Sequence, residues 1–173
     1  MPAEYMASRF DGEFSAYRIV REGMPIFDGG GAFRWGGRWN GPGRYVIHAA
    51  ESYSLALLEN LVHFNLGELP PRFLVAPLKI PKDVSRKIAD GAEVPRWNAP
   101  SPYTASREYG DAWYDERRTA VLIVPSVVSP FECNVLINQE HLDARRIEVG
   151  APVRALLDDR LRMLLTGTPA RHS

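Results

Sequence analysis

Strand-like apolar runs recur along this chain with one clear amphipathic helix between them, and that order narrows the fold. Residues 119–126, TAVLIVPS, form the clearest buried strand. FSAYRIV (14–20) alternates, with Tyr17 and Ile19 on one face and Arg18 on the other. RYVIHAA (44–50), RFLVAPLKI (72–80), CNVLIN (133–138) and RRIEV (145–149) read as further strands, and Pro77 marks 72–80 as an edge strand or a bulge. The helix is SYSLALLENLVHF (52–64), capped by Ser52 and ended by Gly67 and the Pro70-Pro71 pair. Strands that outnumber helices and lack regular helical crossovers favour α+β over a doubly wound sheet. From 81 to 114 the pattern weakens to proline, glycine and polar residues, with short pieces such as VSRKIA. That stretch predicts a long irregular but packed excursion holding Trp97 and Trp113. The end, PVRALLDDRLRMLL, fits a helix by propensity or a short strand at 153–157.

A chain of 173 residues suits a single domain, and one of this length buries about 70% of its unfolded surface, enough for a core without staples. Lys+Arg and Asp+Glu are both 21, so the net charge is zero, which argues against coating nucleic acid or an anionic membrane. Cys133 is the one cysteine, which excludes a disulfide framework and a cysteine-rich zinc site; in its strand it reads as an inert buried thiol. His48, His63, His141 and His172 show no metal-ligand spacing. The N-terminus lacks the apolar run of a signal peptide, and no apolar stretch approaches the roughly 20 residues that span a bilayer. The expectation is a cytoplasmic protein with no metal.

Chemistry concentrates in residues 29–43, GGGAFRWGGRWNGPG. Glycine admits positive φ and close approach of a ligand, arginine offers a fork of donors to phosphate or carboxylate, and tryptophan offers a flat face. The loop therefore suits a flat anion such as a nucleotide. It matches neither a G-x-G-x-x-G nor a G-x-x-x-x-G-K-[ST] phosphate motif, and the chain has no G-x-S-x-G elbow. Further along, Glu59 shares a helix face with Leu55, Ala56 and Val62. Two readings are open for it: a carboxylate set into a functional site, or one at the stripe's edge paired with an arginine or with His63. Arg38 and Arg18 are either anion-binding or solvated. Ser126, at the end of the strongest strand, either satisfies a turn or contacts a ligand.

Taken together, Tyr17-Arg18-Ile19, Gly29 to Ala32, GGRWN at 36–40, Ala49 to Ser52, Leu57-Leu58-Glu59, Gly110 to Trp113, Val124-Pro125-Ser126, Asn134 to Asn138, His141 and Asp158 to Leu161 resemble the RES domain. That family is named for its arginine, glutamate and serine, and the resemblance spans about residues 14–163 of a single domain. It implies an ADP-ribosyltransferase-like α+β fold, with mainly antiparallel sheets forming a split core flanked by helices. It also implies the toxin of a type II toxin–antitoxin pair that inhibits bacterial growth by consuming NAD⁺ through hydrolysis or phosphorolysis, and a helix-turn-helix antitoxin of the Xre type covering the active site. NAD⁺ is then substrate rather than prosthetic group, with phosphate a possible co-substrate. The implied catalytic residues are Arg38, Glu59 and Ser126, and Arg18 and His48 join them in binding NAD⁺. Two positions depart from the family pattern: His48 stands where tyrosine is usual, and Gln139 where proline is common. Tyr45, three residues from His48, faces the other side of a regular strand and does not replace that tyrosine. A mono-ADP-ribosyltransferase acting on a specific protein, or a catalytically weakened nucleotide-binding module, would share the same pocket; a nucleic-acid-cleaving toxin is disfavoured by the zero net charge.

Overall fold

The protein is described here by a computed structural model covering residues 3–62 and 72–156 and positions 158, 160 and 163. The elements run α1 (Ala3–Arg9), β1 (Phe14–Arg21), α2 (Gly30–Trp35), β2 (Val46–Ala50), α3 (Tyr53–Leu61), β3 (Phe73–Ile80), β4 (Arg86–Ile88), α4 (Thr104–Glu116), β5 (Val121–Pro125), β6 (Cys133–Asn138), a 3-10 turn (Leu142–Arg146), β7 (Glu148–Val149) and β8 (Val153–Arg154). The strands build one eight-stranded sheet in the order β4-β5-β6-β2-β1-β3-β7, with β8 also on β3. Every pairing is antiparallel except β4 with β5. The fold is thus α+β with an antiparallel-rich sheet.

The sheet is split in its middle. β1 pairs with β3 continuously from Phe14↔Ile80 to Arg21↔Phe73, and β2 pairs with β6 from Val46↔Asn138 to Ala50↔Asn134. Between them, β1 and β2 share a single register pair, Tyr17↔Ala50. Alternation then sorts the side chains. Ala16, Ile47, Ala49, Ile123, Val135 and Ile137 pack on one face with Met6 of α1 and Phe10 just after it. On the other face Val46, Leu122, Val124 and Leu136 pack with Trp39 and Trp113, while Ile19, Ala50 and Val75 pack with Leu55 and Ala56 of α3. Pro77 falls between the β7 and β8 pairings, and its carbonyl accepts from Gly150 (2.9 Å). Its missing N–H therefore costs no ladder bond, although β3 is not the edge strand expected, being paired on both sides.

Helix α3 starts as expected, with Ser52 accepting from the Leu55 amide at 3.0 Å. It runs to Leu61; His63, Phe64, Gly67 and the Pro70-Pro71 pair lie outside the described residues. Three expectations are corrected. The glycine segment is not all loop, because residues 30–35 form α2. Residues 145–149 are not one strand. Arg145 and Arg146 lie in the 3-10 turn, which starts where His141 Nδ1 accepts from Asp143 N and Asp143 Oδ2 binds Ser85; only Glu148–Val149 pair. Of the two readings of the end, a strand is present at Val153–Arg154, while most of the helical alternative lies outside the described residues.

The third correction matters most. The stretch 81–114, expected to be irregular, contains β4 and most of α4, and α4 holds the glycine segment in place. Ser106 Oγ donates to the Arg38 carbonyl (2.8 Å), Arg107 Nε donates to the Gly37 carbonyl (2.8 Å), and Asp111 Oδ1 accepts from Gly41 N (2.8 Å). Asp111 and Asp115 also pair with Arg44, and Tyr114 Oη accepts from Tyr45 N (3.1 Å). Positions 106, 110 and 114, with 107 and 111, form one face of a helix. At its centre Gly110 lets the chain at Trp39 come so close that a Cβ would lie 1.7 Å from the Trp39 carbonyl oxygen.

Two measurements check this architecture. Gly110→Ala, although it favours helix intrinsically, should destabilise by about 3 kcal/mol through overpacking and lower Tm by roughly 6–12 °C. Gly12→Ala, where a Cβ meets nothing within 4 Å, should leave Tm unchanged. Cys133 is fully buried, and burial pushes its thiol up to about 12. It should resist iodoacetamide at pH 8 in the native protein and react once the chain is unfolded in urea.

Candidate active site

The split between β1 and β2 opens into a cleft of about 720 Å³. Strand ends, α3, the glycine segment and α4 all reach it. Glu59 comes from α3, where Leu55 and Ala56 of the same face are buried against β1 and β2. Its carboxylate is held by one oxygen: Ser126 Oγ donates to Oε1 at 2.8 Å and Asn134 Nδ2 donates to the same atom at 2.6 Å. Glu59 Oε2 has no protein partner among the described residues. Ser126 is fully buried and also accepts from the amides of Val128 (3.1 Å) and Ser129 (3.1 Å). It satisfies a turn, one of the two readings of the sequence, and holds the Glu59 carboxylate as well.

Arg38 lies along the ring of Tyr103, its guanidinium carbon 4.2 Å from the ring centre, with Nη1 donating to the carbonyls of Trp97 (3.2 Å) and Ala99 (2.9 Å). Arg107 of α4 reaches the same ring at 5.5 Å. Arg18 takes a different route. It leaves β1 on the face of Ala16, and its guanidinium fills the split, donating to the carbonyls of His48 (2.6 Å) and Asp28 (3.5 Å). Its Nε is buried without a partner. Burial lowers its pKa from 12.5 to about 10, and the nearby Asp28 carboxylate offsets this only in part. Arg18, Arg38 and Arg107 all line the cleft, and none forms an ion pair among the described residues.

His48 lies on β2 facing the cleft, with Nε2 2.9 Å from Asn40 Oδ1. The Asn40 amide is oriented by its own donation to the carbonyls of Ala32 (3.4 Å) and Gly41 (2.9 Å). Its oxygen therefore faces the histidine, and His48 Nε2 carries the proton. Gly36 closes α2 at φ +67, a conformation glycine adopts freely, and its amide returns to the Ala32 carbonyl (2.7 Å). Gln139 anchors the start of the segment, accepting from Gly29 N (2.6 Å), a contact that uses its side-chain amide.

The structure thus brings Arg18, Arg38, His48 and Glu59 to one cleft, and Ser126 to its carboxylate. Among the described residues Glu59 pairs with neither an arginine nor a histidine. Tyr45 stacks on Phe33 with ring centres 4.4 Å apart and is absent from the cleft lining. Of the loop tryptophans, Trp39 is buried, whereas Trp35 is 80% exposed and packs little. Sequence reasoning gave no role to Asn134, Tyr103, Arg107 or Asn40. The signal for Asn134 was present: it is a polar residue in a strand of buried apolar ones, opposite Val124, two positions before Ser126. Tyr103 and Arg107 carried none, because α4 was not read as a helix. Among the described residues no cluster of His, Cys, Asp and Glu could hold a metal, and no helix is long and apolar enough to cross a membrane.

Comparison with known proteins adds the family. The RES domain model matches residues 15–158. The chain is 39% identical over 136 residues to a "Prs ADP-ribosylating toxin" of Sphingobium sp. (strain YBL2), covering 77% of this chain and 84% of that protein. It is 38% identical over 125 residues to a "Toxin Res" of Photorhabdus laumondii, covering 70% and 80%. In structure it is similar to a chain of the M. tuberculosis MbcT–MbcA toxin–antitoxin complex, at TM-score 0.69 and 16% identity over 95% of this chain and 98% of that one. That likeness shows the fold.

The role of Arg18 in closing the split can be measured without any ligand. Arg18→Ala leaves two carbonyls unpaired and a hole between strands, a loss of about 2–4 kcal/mol. Thermal unfolding of the ligand-free protein should show Tm lower by roughly 5–15 °C.

Proposed function

This chain belongs to the RES domain family, and on that premise we propose that its cleft binds NAD⁺ and cleaves the bond between nicotinamide and ribose, making the protein the toxin of a toxin–antitoxin pair. The observation that carries the reading is Glu59: it lines the cleft with one carboxylate oxygen fixed by Ser126 and Asn134 and the other unpartnered, beside arginines that form no ion pair among the described residues. The names of the bacterial relatives support it.

When the glycosidic bond breaks, its electron pair leaves with nicotinamide, which departs neutral, and positive charge develops on the ribose. A fixed anion beside that ribose stabilises the transition state more than the ground state. Glu59 Oε2 supplies it, and also accepts the proton lost by an attacking oxygen as the new bond to C1 of the ribose forms. Ser126 and Asn134 keep the carboxylate from rotating away, Arg38 holds the phosphates, and His48 presents its ring to nicotinamide while Asn40 holds its edge. Water or phosphate as acceptor gives hydrolysis or phosphorolysis.

A second reading, transfer of ADP-ribose to a protein, is favoured by the Sphingobium relative's name. A helix-turn-helix antitoxin of the Xre type is the proposed partner. Support comes from the structural neighbour, a chain of a toxin–antitoxin complex, and from apolar Val62 and Val127, 57% and 39% exposed, at the cleft, with Leu58 (42%) on α3, which Val62 caps.

Nicotinamide release from NAD⁺, followed by chromatography, tests the proposal. Glu59→Gln should slow release at least about 100-fold, equivalent to about 3 kcal/mol of lost electrostatic stabilisation, and should abolish growth arrest. Mass spectrometry of products with and without phosphate, and with lysate, identifies the acceptor. Intact NAD⁺ under all three conditions would sink the enzymatic reading, and tight ADP-ribose binding without turnover would identify a weakened module.

A further inference from the structure

Arg107 appears in none of the sequence motifs, yet it is placed as deliberately as Arg38. Both guanidinium groups lie over the ring of Tyr103, at 4.2 Å for Arg38 and 5.5 Å for Arg107. Both are held through backbone carbonyls rather than carboxylates: Arg38 by Trp97 and Ala99, Arg107 by Gly37. In each case one nitrogen makes the anchoring contact, Nη1 in Arg38 and Nε in Arg107. The remaining nitrogens have no protein partner among the described residues. A carbonyl anchor fixes a guanidinium without neutralising it. Two such groups sharing one aromatic platform, both lining one cleft, form a divalent cationic seat. Arg18 does not compete for this part, because its terminal nitrogens are spent on the His48 and Asp28 carbonyls in the split.

Building on the reading of the cleft as an NAD⁺ site, we propose that Arg107 is a substrate-contacting residue that shares the diphosphate with Arg38 and makes the site selective for dinucleotides over mononucleotides. A diphosphate carries two anionic groups a few ångströms apart and is matched by two forks. A mononucleotide offers only one such group. The pairing also explains why Arg107 is on α4: the helix that sets the glycine segment also sets the second cation in register with it, through adjacent residues Ser106 and Arg107.

The test separates contact from positioning. In Arg107→Gln the side-chain amide nitrogen falls where Nε was, so the bond to the Gly37 carbonyl is retained and only the charged fork is lost. Calorimetric titration with ADP-ribose should show affinity about tenfold weaker than in the unaltered protein, with a shallower dependence on salt and Tm unchanged. With NAD⁺ as substrate, KM should rise by a similar factor while kcat moves little; with nicotinamide mononucleotide, KM should be nearly unaffected. Arg107→Lys, which keeps the charge and loses the planar fork, should fall between. Equal ADP-ribose affinity in Arg107→Gln and the unaltered protein overturns the proposal and leaves the NAD⁺ reading standing. So does a loss accompanied by lower Tm and matched by an equal loss for the mononucleotide, which would reduce Arg107 to a support for the loop. If the unaltered protein binds neither ADP-ribose nor NAD⁺, the reading of the cleft itself falls. Should Arg107→Gln not fold, the Arg107→Lys titrations decide by the same criteria.

Discussion

Everything at the site depends on the point where β1 and β2 meet only once. Had the ladder continued beyond Tyr17↔Ala50, the middle of the sheet would be closed and Glu59 would face a wall of backbone. Because it stops, the His48 carbonyl loses the strand neighbour that would have satisfied it, and a buried carbonyl without a donor costs about 1–3 kcal/mol. Arg18 answers that demand from the opposite face of the sheet. The cation that closes the split is itself disfavoured by burial, as its depressed pKa records. The chain accepts a desolvated guanidinium in order to keep the two halves of the sheet together yet apart, and the cleft is the result.

The second dependence is on α4. The segment from Gly36 to Gly41 is anchored by one large buried side chain, Trp39, and the course of its backbone is imposed from outside. Ser106, Arg107 and Asp111 hold its backbone at Arg38, Gly37 and Gly41, and Gly110 allows the close approach that makes those bonds possible. His48 and Gln139 contribute from the sheet side, through Asn40 and Gly29. Both side chains are thus occupied in holding the glycine segment. A polar side chain that ends on this segment has a structural role whatever it does to a ligand.

How much of this was legible in the sequence varied with the physics of each element. The run Val121 to Pro125 was readable because it is buried on both faces, and such burial writes an uninterrupted apolar stretch. Helix α3 was readable through Ser52, a real cap. Helices α2 and α4 were not: Gly29 and Tyr103 at their N-caps make no side-chain capping bond, and glycine inside each argues locally against helix. In α4 the glycine exists for a contact with Trp39, 71 positions back along the chain from Gly110, and no local pattern can record such a contact. The candidate site residues divide the same way. Arg38, Glu59 and Ser126 stood out by being polar in apolar or glycine-rich surroundings. Asn134 stood out as much but was silent without knowing that β5 and β6 are neighbours. Arg107 looked like any arginine on a polar stretch until the helix under it placed it beside Tyr103.

The charges in the cleft show why so many holders are needed. Three guanidinium groups and one carboxylate line the same space, and none of the arginines pairs with Glu59. Left flexible, opposite charges in a partly desolvated cleft collapse onto each other, since their attraction rises as the effective dielectric falls. Here each is restrained by neutral partners: Ser126 and Asn134 for Glu59, the Trp97 and Ala99 carbonyls for Arg38, the Gly37 carbonyl for Arg107, and the His48 and Asp28 carbonyls for Arg18. Neutral partners orient a charge without cancelling it. A cleft built this way keeps cationic and anionic groups separate, which suits the proposed ligand, anionic at its phosphates and cationic where its bond would break. Reorganisation that a flexible site would undergo in such a reaction is completed in folding. The density of backbone and amide contacts around these few charges is thus the structural form that preorganisation takes in this protein.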